Sequence, residues 1–221
     1  MNTIPHQHYD ASYFAWQSKY SGGPLSAQMD RWKFESFLGP NDVLLDFGCG
    51  GGFLLRALSC ASKFGIEVNP AARAQASLNG SVYADIEDVP QGVIFDVIIS
   101  HHSLEHVDNP LDVLQKLGAR LKRGGKMVFV VPSEEWHRQK HYRPGDINQH
   151  LYTWTPLSLG NLFTRAGFRV ECCELLRRRW PPKAQEFYRL VPRRIFHIFC
   201  GAWGTVTRNR EIRIVVSKSS E

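Results

Sequence analysis

The stretch VLLDFGCGGGFLL, Val43–Leu55, decides how the rest of the chain is read. Val43–Phe47 is apolar around one acid, Asp46, and has the length of a buried strand. Gly48, Gly50, Gly51 and Gly52 then fill four of five positions, and Phe53-Leu54-Leu55 reopens an apolar run. A strand that dissolves into glycine and re-enters a helix brings bare backbone close to a ligand. A phosphate loop requires Lys-Ser/Thr after its last glycine, and Gly52 is followed by Phe53. The dinucleotide spacing G-x-G-x-x-G does not close either. Counted from Gly48 it meets Phe53, and counted from Gly50 it meets Leu55. Asp46 stands two residues before Gly48, which is awkward beside a pyrophosphate and suitable beside a cation. A nucleoside carrying an amino-acid ammonium fits such a loop; a dehydrogenase remains the reading in which the loop takes pyrophosphate instead.

Outward from this stretch, short apolar runs alternate with helical patterns. Strands are expected at Val43–Phe47, Lys63–Val68, Val82–Ala84, Phe95–Ser100, Lys126–Val131, Phe168–Glu174 and Glu211–Val216. Helices fit Phe53–Cys60, Pro70–Leu78, Pro110–Leu121 and Pro156–Ala166, and Asn69-Pro70 and Asn109-Pro110 each give an N-cap followed by proline at the first turn. Before them, His8–Tyr20 reads as a helix with an aromatic face (Tyr9, Tyr13, Phe14, Trp16, Tyr20), and Ser26–Leu38 as a second helix ended by Gly39-Pro40. The pattern predicts an α/β, Rossmann-like, doubly wound sheet of about seven strands, mostly parallel, with an antiparallel last strand and helices on both faces. In such sheets ligands bind at the carboxyl ends of the strands, where the glycine loop lies.

The 221 residues, 43% of them apolar, suit a single domain. The expected division is a helical cap over 1–39, a cofactor-binding core over 40–176, an insertion over 177–206 and the last strand over 207–221. No signal-peptide pattern opens the chain, and no apolar run approaches the roughly 20 residues of a membrane span. Five cysteines without metal spacing read as reduced packing residues, and the expected location is cytoplasmic. The net charge of +6 is uneven. Residues 177–221 hold 11 Lys/Arg against 3 Asp/Glu, and the other 176 hold 16 against 18, so the chain is not a uniformly basic nucleic-acid binder.

With these residues in place, Asp46-Phe47-Gly48-Cys49-Gly50-Gly51-Gly52 resembles motif I of the class I S-adenosylmethionine-dependent methyltransferases. Other elements resemble that family in order: Glu67, as the acid that would hold the ribose hydroxyls, with Val68 beside it; Tyr83-Ala84-Asp85-Ile86, where Asp85 would meet the adenine amino group and Ile86 the ring; Phe95–Ser100, as the fourth-strand motif; and Leu121–Lys126, as the turn into the fifth strand. An alternative for Asp85 is to cap the turn Asp85–Asp88. The resemblance implies S-adenosyl-L-methionine as cofactor, S-adenosyl-L-homocysteine as its product, and Asp46, Gly48, Cys49, Gly50, Gly52, Glu67, Val68, Asp85, Ile86 and Ser100 as its cradle.

In this chemistry the sulfonium is the electrophile, and the protein must position a nucleophile and remove its proton. His101, His102 and His106, in the loop after the fourth strand, and His150, before the N-cap Thr155, are the candidates. No metal is the favoured expectation. The spacing His102-x-x-Glu105-His106, with His150 later, is nonetheless similar to the metal pattern of the ubiquinone-biosynthesis O-methyltransferases and the small-RNA 2′-O-methyltransferases, with His102 in place of a Glu. The resemblance implies O-methylation of a small molecule: a sugar, a phenol or quinone precursor, or a lipid-linked saccharide. An RNA 2′-O-methyltransferase and a non-catalytic cofactor-binding protein are the alternatives. Residues 177–206 alternate arginines and aromatics, which suits a lid or oligomer interface, a membrane surface met by Phe196, Ile198, Phe199 and Trp203 with Arg193 and Arg194, or a phosphate-bearing partner. Monomer and homodimer are both open.

Overall fold

The computed structural model describes residues 14–15, 23–133, 141–144, 146, 148–177, 180–207 and 210–218. Strands β1 (Val43–Phe47), β2 (Ser62–Ile66), β3 (Ser81–Tyr83), β4 (Phe95–His101), β5 (Leu121–Ser133), β6 (Phe168–Leu176) and β7 (Arg210–Lys218) form one sheet in the order β3-β2-β1-β4-β5-β7-β6. β1, β2, β3, β4 and β5 pair in parallel, and β7 lies antiparallel between β5 and β6. The helices are α1 (Pro24–Asp30), α2 (Phe53–Ala57), α3 (Pro70–Ala76), α4 (Pro110–Ala119), α5 (Pro156–Arg165), α6 (Ala184–Leu190) and α7 (Arg193–Thr207).

Period-two alternation along the central strands sends consecutive side chains to two separate cores. Met127, Phe129 and Val131 of β5 join Ile98 of β4 against Leu114 and Leu117 of α4 and Leu159 and Phe163 of α5. Val128 and Val130, with Val97 and Ile99, pack on the opposite face with Leu54 and Leu55 of α2, Ala76 of α3 and Phe34. Both faces are therefore covered, as expected from strands that carry apolar side chains on both sides. The predicted caps form: Asn69 Oδ1 accepts from Ala71 N at 3.0 Å, Asn109 Oδ1 from Asp112 N at 3.3 Å, and Thr155 exchanges hydrogen bonds with Ser158.

Three sequence expectations change. Ser26–Leu38 is not one helix: α1 stops at Asp30 and two 3-10 turns follow, Arg31–Lys33 and Glu35–Phe37. Lys33, at the end of the first turn, and Phe34, between the two, are both buried, at 3% and 0% exposure. β2 ends at Ile66, two residues early, because Glu67 turns its carboxylate back to the N–H groups of Gly50 and Asn69, at 2.8 Å each. The expected turn Leu121–Lys126 lies within β5, where Gly124 at φ 72° and a register shift opposite Phe95 and Val97 mark an irregularity in the pairing. Of the expected aromatic helix, Tyr9, Tyr13, Trp16 and Tyr20 lie outside the described residues. Phe14 and Ala15 are helical, and the Phe14 ring lies so near the glycine loop that a Cβ added to Gly51 would meet it at 3.1 Å.

Candidate functional site

The glycine loop leaves β1 with Gly48, Gly50 and Gly52 at φ of 73°, 53° and 70°. Gly48 N and Cys49 N donate to Ile66 O at 2.9 and 3.0 Å, which binds the loop to the end of β2. Glu67 accepts from Gly50 N, which ties the residue after β2 to the glycine loop. Burial raises the Glu67 pKa despite these backbone hydrogen bonds. Asp46 is 2% exposed, and burial first, then the charge of Glu67, push its carboxyl up to about 8. Cys49 is buried beneath the loop, with its sulfur 2.6 Å from where a Cβ on Gly65 would stand; burial and the neighbouring acids hold its thiol well above the usual range. Val68 is 42% exposed at the rim.

Beyond β3, Asp85 is exposed and caps the turn Ile86–Asp88, accepting from Glu87 N at 3.0 Å, while Ile86 is buried. The capping alternative raised for Asp85 is therefore the arrangement present. The Ser100 hydroxyl is used within the sheet, where it donates to Phe47 O at 2.9 Å and clips β4 to β1.

Ser103, which the sequence did not single out, joins the two halves of the site. Its hydroxyl donates to Gly48 O at 3.3 Å, and a Cβ on Gly48 would fall 2.1 Å from Ser103 Oγ. The histidine loop after β4 thus rests directly on the glycine loop. Gly48→Ala is expected to abolish cofactor binding, because it combines this clash with a left-handed φ. Ser103→Gly in the same chain would relieve the clash and not the backbone strain, so thermal shift with S-adenosylhomocysteine should show at most partial recovery.

The four candidate histidines divide into two pairs. His101 and His102 belong to a charged cluster with Lys33, Glu211 and Asp30. The Lys33 ammonium donates to His101 Nε2 at 3.0 Å and forms ion pairs with Asp30 at 2.9 Å and Glu211 at 2.6 Å. His101 therefore carries its proton on Nδ1, and burial, then Lys33, keeps it neutral well below its ordinary pKa. His102 sits at φ 55° and donates from Nε2 to Glu211 Oε1 at 3.0 Å. Burial opposes its charge, but the bond to Glu211 prevails and its pKa rises. Glu211 is pulled down despite its burial by Lys33 and His102. Lys33 itself is raised, because Asp30 and Glu211 outweigh its desolvation.

His106 and His150 form the second pair, their ring centroids 4.8 Å apart and edge to face. The Glu105 carbonyl accepts from Leu151 N at 2.9 Å and Tyr152 N at 3.3 Å, which anchors the His150 segment beside the histidine loop. Ligand atoms of Glu105, His106 and His150 lie within 4.8 Å of one another, as do those of His101, His102 and Glu211. The four-residue metal set drawn from the sequence is thus split. His102 Nδ1 is 3.7 Å from Glu105, but its Nε2 is engaged by Glu211 in the other group. In that other group Lys33 already supplies the cation. Lys33, Asp30 and Glu211 escaped the sequence reading because they come from an N-terminal turn and the last strand, and no local spacing links them to His101.

Sheet order and glycine loop are those of a class I S-adenosylmethionine-dependent methyltransferase domain. A family model described as "Methyltransferase domain" matches residues 26–172, and the chain belongs to that family. The ubiquinone biosynthesis O-methyltransferase of Actinobacillus pleuropneumoniae serotype 5b is 36% identical over 102 residues, covering 39% of this chain and 44% of that protein. The chain spans less than half the length of the curated relatives it matches. Among solved structures, an S-adenosylmethionine-dependent methyltransferase from Archaeoglobus fulgidus superposes with a TM-score of 0.65 at 16% identity, over 93% of this chain and 99% of the other. The plantazolicin methyltransferase BpumL, in complex with S-adenosylhomocysteine, gives 0.62 at 16%, over 98% and 96%.

Proposed function

We propose that the chain transfers the methyl group to an oxygen of a small acceptor, with His106 and His150 nearest the acceptor hydroxyl. The observation that carries this reading is the contact between Gly48 and Ser103, which seats the histidine loop on the cofactor loop. His101 and His102 are held by Lys33 and Glu211, so the edge-to-face pair His106–His150 is the better source of a base. In this mechanism Asp46 would face the cofactor's cationic amino-acid end and Glu67 its ribose, and one imidazole accepts the hydroxyl proton as the acceptor oxygen bonds to the methyl carbon and the carbon–sulfur bond breaks, releasing S-adenosylhomocysteine. A second reading follows from the grouping of Glu105, His106 and His150. These residues would hold a divalent ion, which lowers a hydroxyl's pKa when bound.

Calorimetric titration with S-adenosylhomocysteine and, separately, NAD tests the cofactor site. The first is expected to bind and the second not. Glu67→Gln should weaken binding by about tenfold or more, since a charged hydrogen-bond acceptor becomes neutral. Methyl transfer is then measured on catechol, a nucleoside sugar and a short RNA. His106→Ala and His150→Ala are expected to lower kcat on the accepted probe by about 10²–10⁴ for the residue that acts as base, and chelator sensitivity would favour the second reading. Intact cofactor binding with no transfer to any hydroxyl would point to a binding protein instead.

A further inference from the structure

Between β6 and β7 the helices α6 and α7 form a hairpin whose inner side is fully accounted for. Phe196 and Cys200 of α7 join Ala184 of α6 and Met29 of α1 in a small core of their own. Arg193 pairs with Glu35 at 2.5 Å, and the His197 ring meets Trp32 edge-on at 5.8 Å. The buried positions Phe196, Cys200 and Gly204 recur every four residues and mark one stripe of the helix. A surface helix with its inner stripe spent this way normally turns polar residues outward. α7 does not. Its opposite stripe carries Ile195 (51% exposed), Ile198 (73%), Phe199 (46%) and Val206 (77%), and Leu190 at the end of α6 is 82% exposed. Beside Phe199 and Trp203 a groove of about 380 Å³ continues the apolar surface over Pro181, Pro182 and Phe187.

The charges around this face are mostly positive, and its one acid, Glu186, lies at the groove. Lys183, Arg189 and Arg194 are exposed, and Glu186 is the single acid among residues 180–207. We propose that the outer face of α7 docks on an anionic lipid bilayer, with Ile195, Ile198, Phe199 and Val206 at the acyl boundary and Lys183, Arg189 and Arg194 at the headgroups. The placement corrects the sequence expectation at two residues, because Phe196 points into the protein and Arg193 is occupied by Glu35. Charge selects the occupant. A second copy related by a twofold axis would set the same three cations against themselves. An anionic bilayer offers apolar depth and negative charge together. No helix among the described residues is long and apolar enough to cross a membrane, so the contact lies in the interface plane.

Co-sedimentation of the full chain with vesicles of phosphatidylglycerol and phosphatidylcholine, against phosphatidylcholine alone, tests the proposal. Binding is expected to the anionic vesicles. Arg189→Glu and Arg194→Glu should each weaken it roughly fivefold or more. The double variant Ile198→Ser, Phe199→Ser should lose about tenfold or more while keeping its Tm. The proposal is overturned by no binding, by equal binding to neutral vesicles, or by anionic binding that the double variant retains. It is also overturned by a solution dimer that the double variant dissolves, or by preferential binding of a short RNA over the vesicles. S-adenosylhomocysteine affinity, measured on the same samples, separates failure of this surface from failure of the cofactor site.

Discussion

Lys33→Met is expected to cost the fold about 3–5 kcal/mol, the usual loss when one partner of a buried ion pair is removed. Asp30 and Glu211 both approach the Lys33 ammonium, at 2.9 and 2.6 Å, and Asp30 is only 7% exposed. Without the ammonium they become two carboxylates sharing one site. Asp30 would then take up a proton, since burial already raises its pKa against the pull of Lys33. His101 would lose the donor that fixes its tautomer. In a chain of this length the loss corresponds to a fall of roughly 10 °C in Tm. Lys33→Arg should not rescue it, because the larger guanidinium spreads its five N–H donors outward in one plane and does not fit a buried site whose three partners converge on a single nitrogen. The triple variant Asp30→Asn, Lys33→Met, Glu211→Gln should recover most of the stability, because no uncompensated charge is left inside. Chemical denaturation of the three variants checks the argument. A Lys33→Met chain within 1 kcal/mol of the parent, on the order of an exposed pair, would show that water reaches the cluster.

This cluster marks where the sequence stops being legible. The sheet could be read in advance because its evidence is local: apolar runs of strand length, Asn-Pro caps, a glycine loop after β1 and an acid at the end of β2. Each signal is enforced by backbone chemistry within a few residues. The charged cluster has no such signal. Lys33 meets His101 across 68 residues and His102 meets Glu211 across 109. Lys33 was concealed further, because a lysine in an amphipathic stretch reads as a solvated position, whereas here it is buried beside Phe34. The histidines were visible as a group, but their division into a pair held by Lys33 and Glu211 and a pair facing one another depends on β7, whose Glu211 reads locally as nothing more than the start of a strand. The same holds for the insertion: its basic and aromatic composition was plain, whereas which face of α7 remains uncovered required the packing against α1.

Asp46→Asn is expected to stabilise the free protein at pH 8 while weakening its hold on the cofactor. Burial and Glu67 raise this carboxyl from 3.8 to about 8. Between those two values the unfolded chain releases the Asp46 proton and the folded chain keeps it, so stability falls as pH rises through this window. The fall is complete above about pH 8, where the shift corresponds to on the order of 5 kcal/mol. Asparagine keeps the shape and cannot ionise, so the variant's Tm should lose this pH dependence and exceed the parent's most at pH 8. The strained carboxylate is retained, on this view, for its ligand. A cation brought beside Asp46 favours the ionised form and reverses the shift. Binding at pH 7 should then expel close to one proton, and the number should decline above pH 8. Calorimetry of S-adenosylmethionine binding in two buffers of different protonation enthalpy reads that number directly. The asparagine variant should expel none and bind about 10–100-fold more weakly, the loss of one charged hydrogen bond. Proton release in the parent with unchanged affinity in the variant would assign the proton to another group. No release and unchanged affinity would place Asp46 out of contact with the cofactor's charge, leaving Glu67 and the glycine backbone to hold the nucleoside.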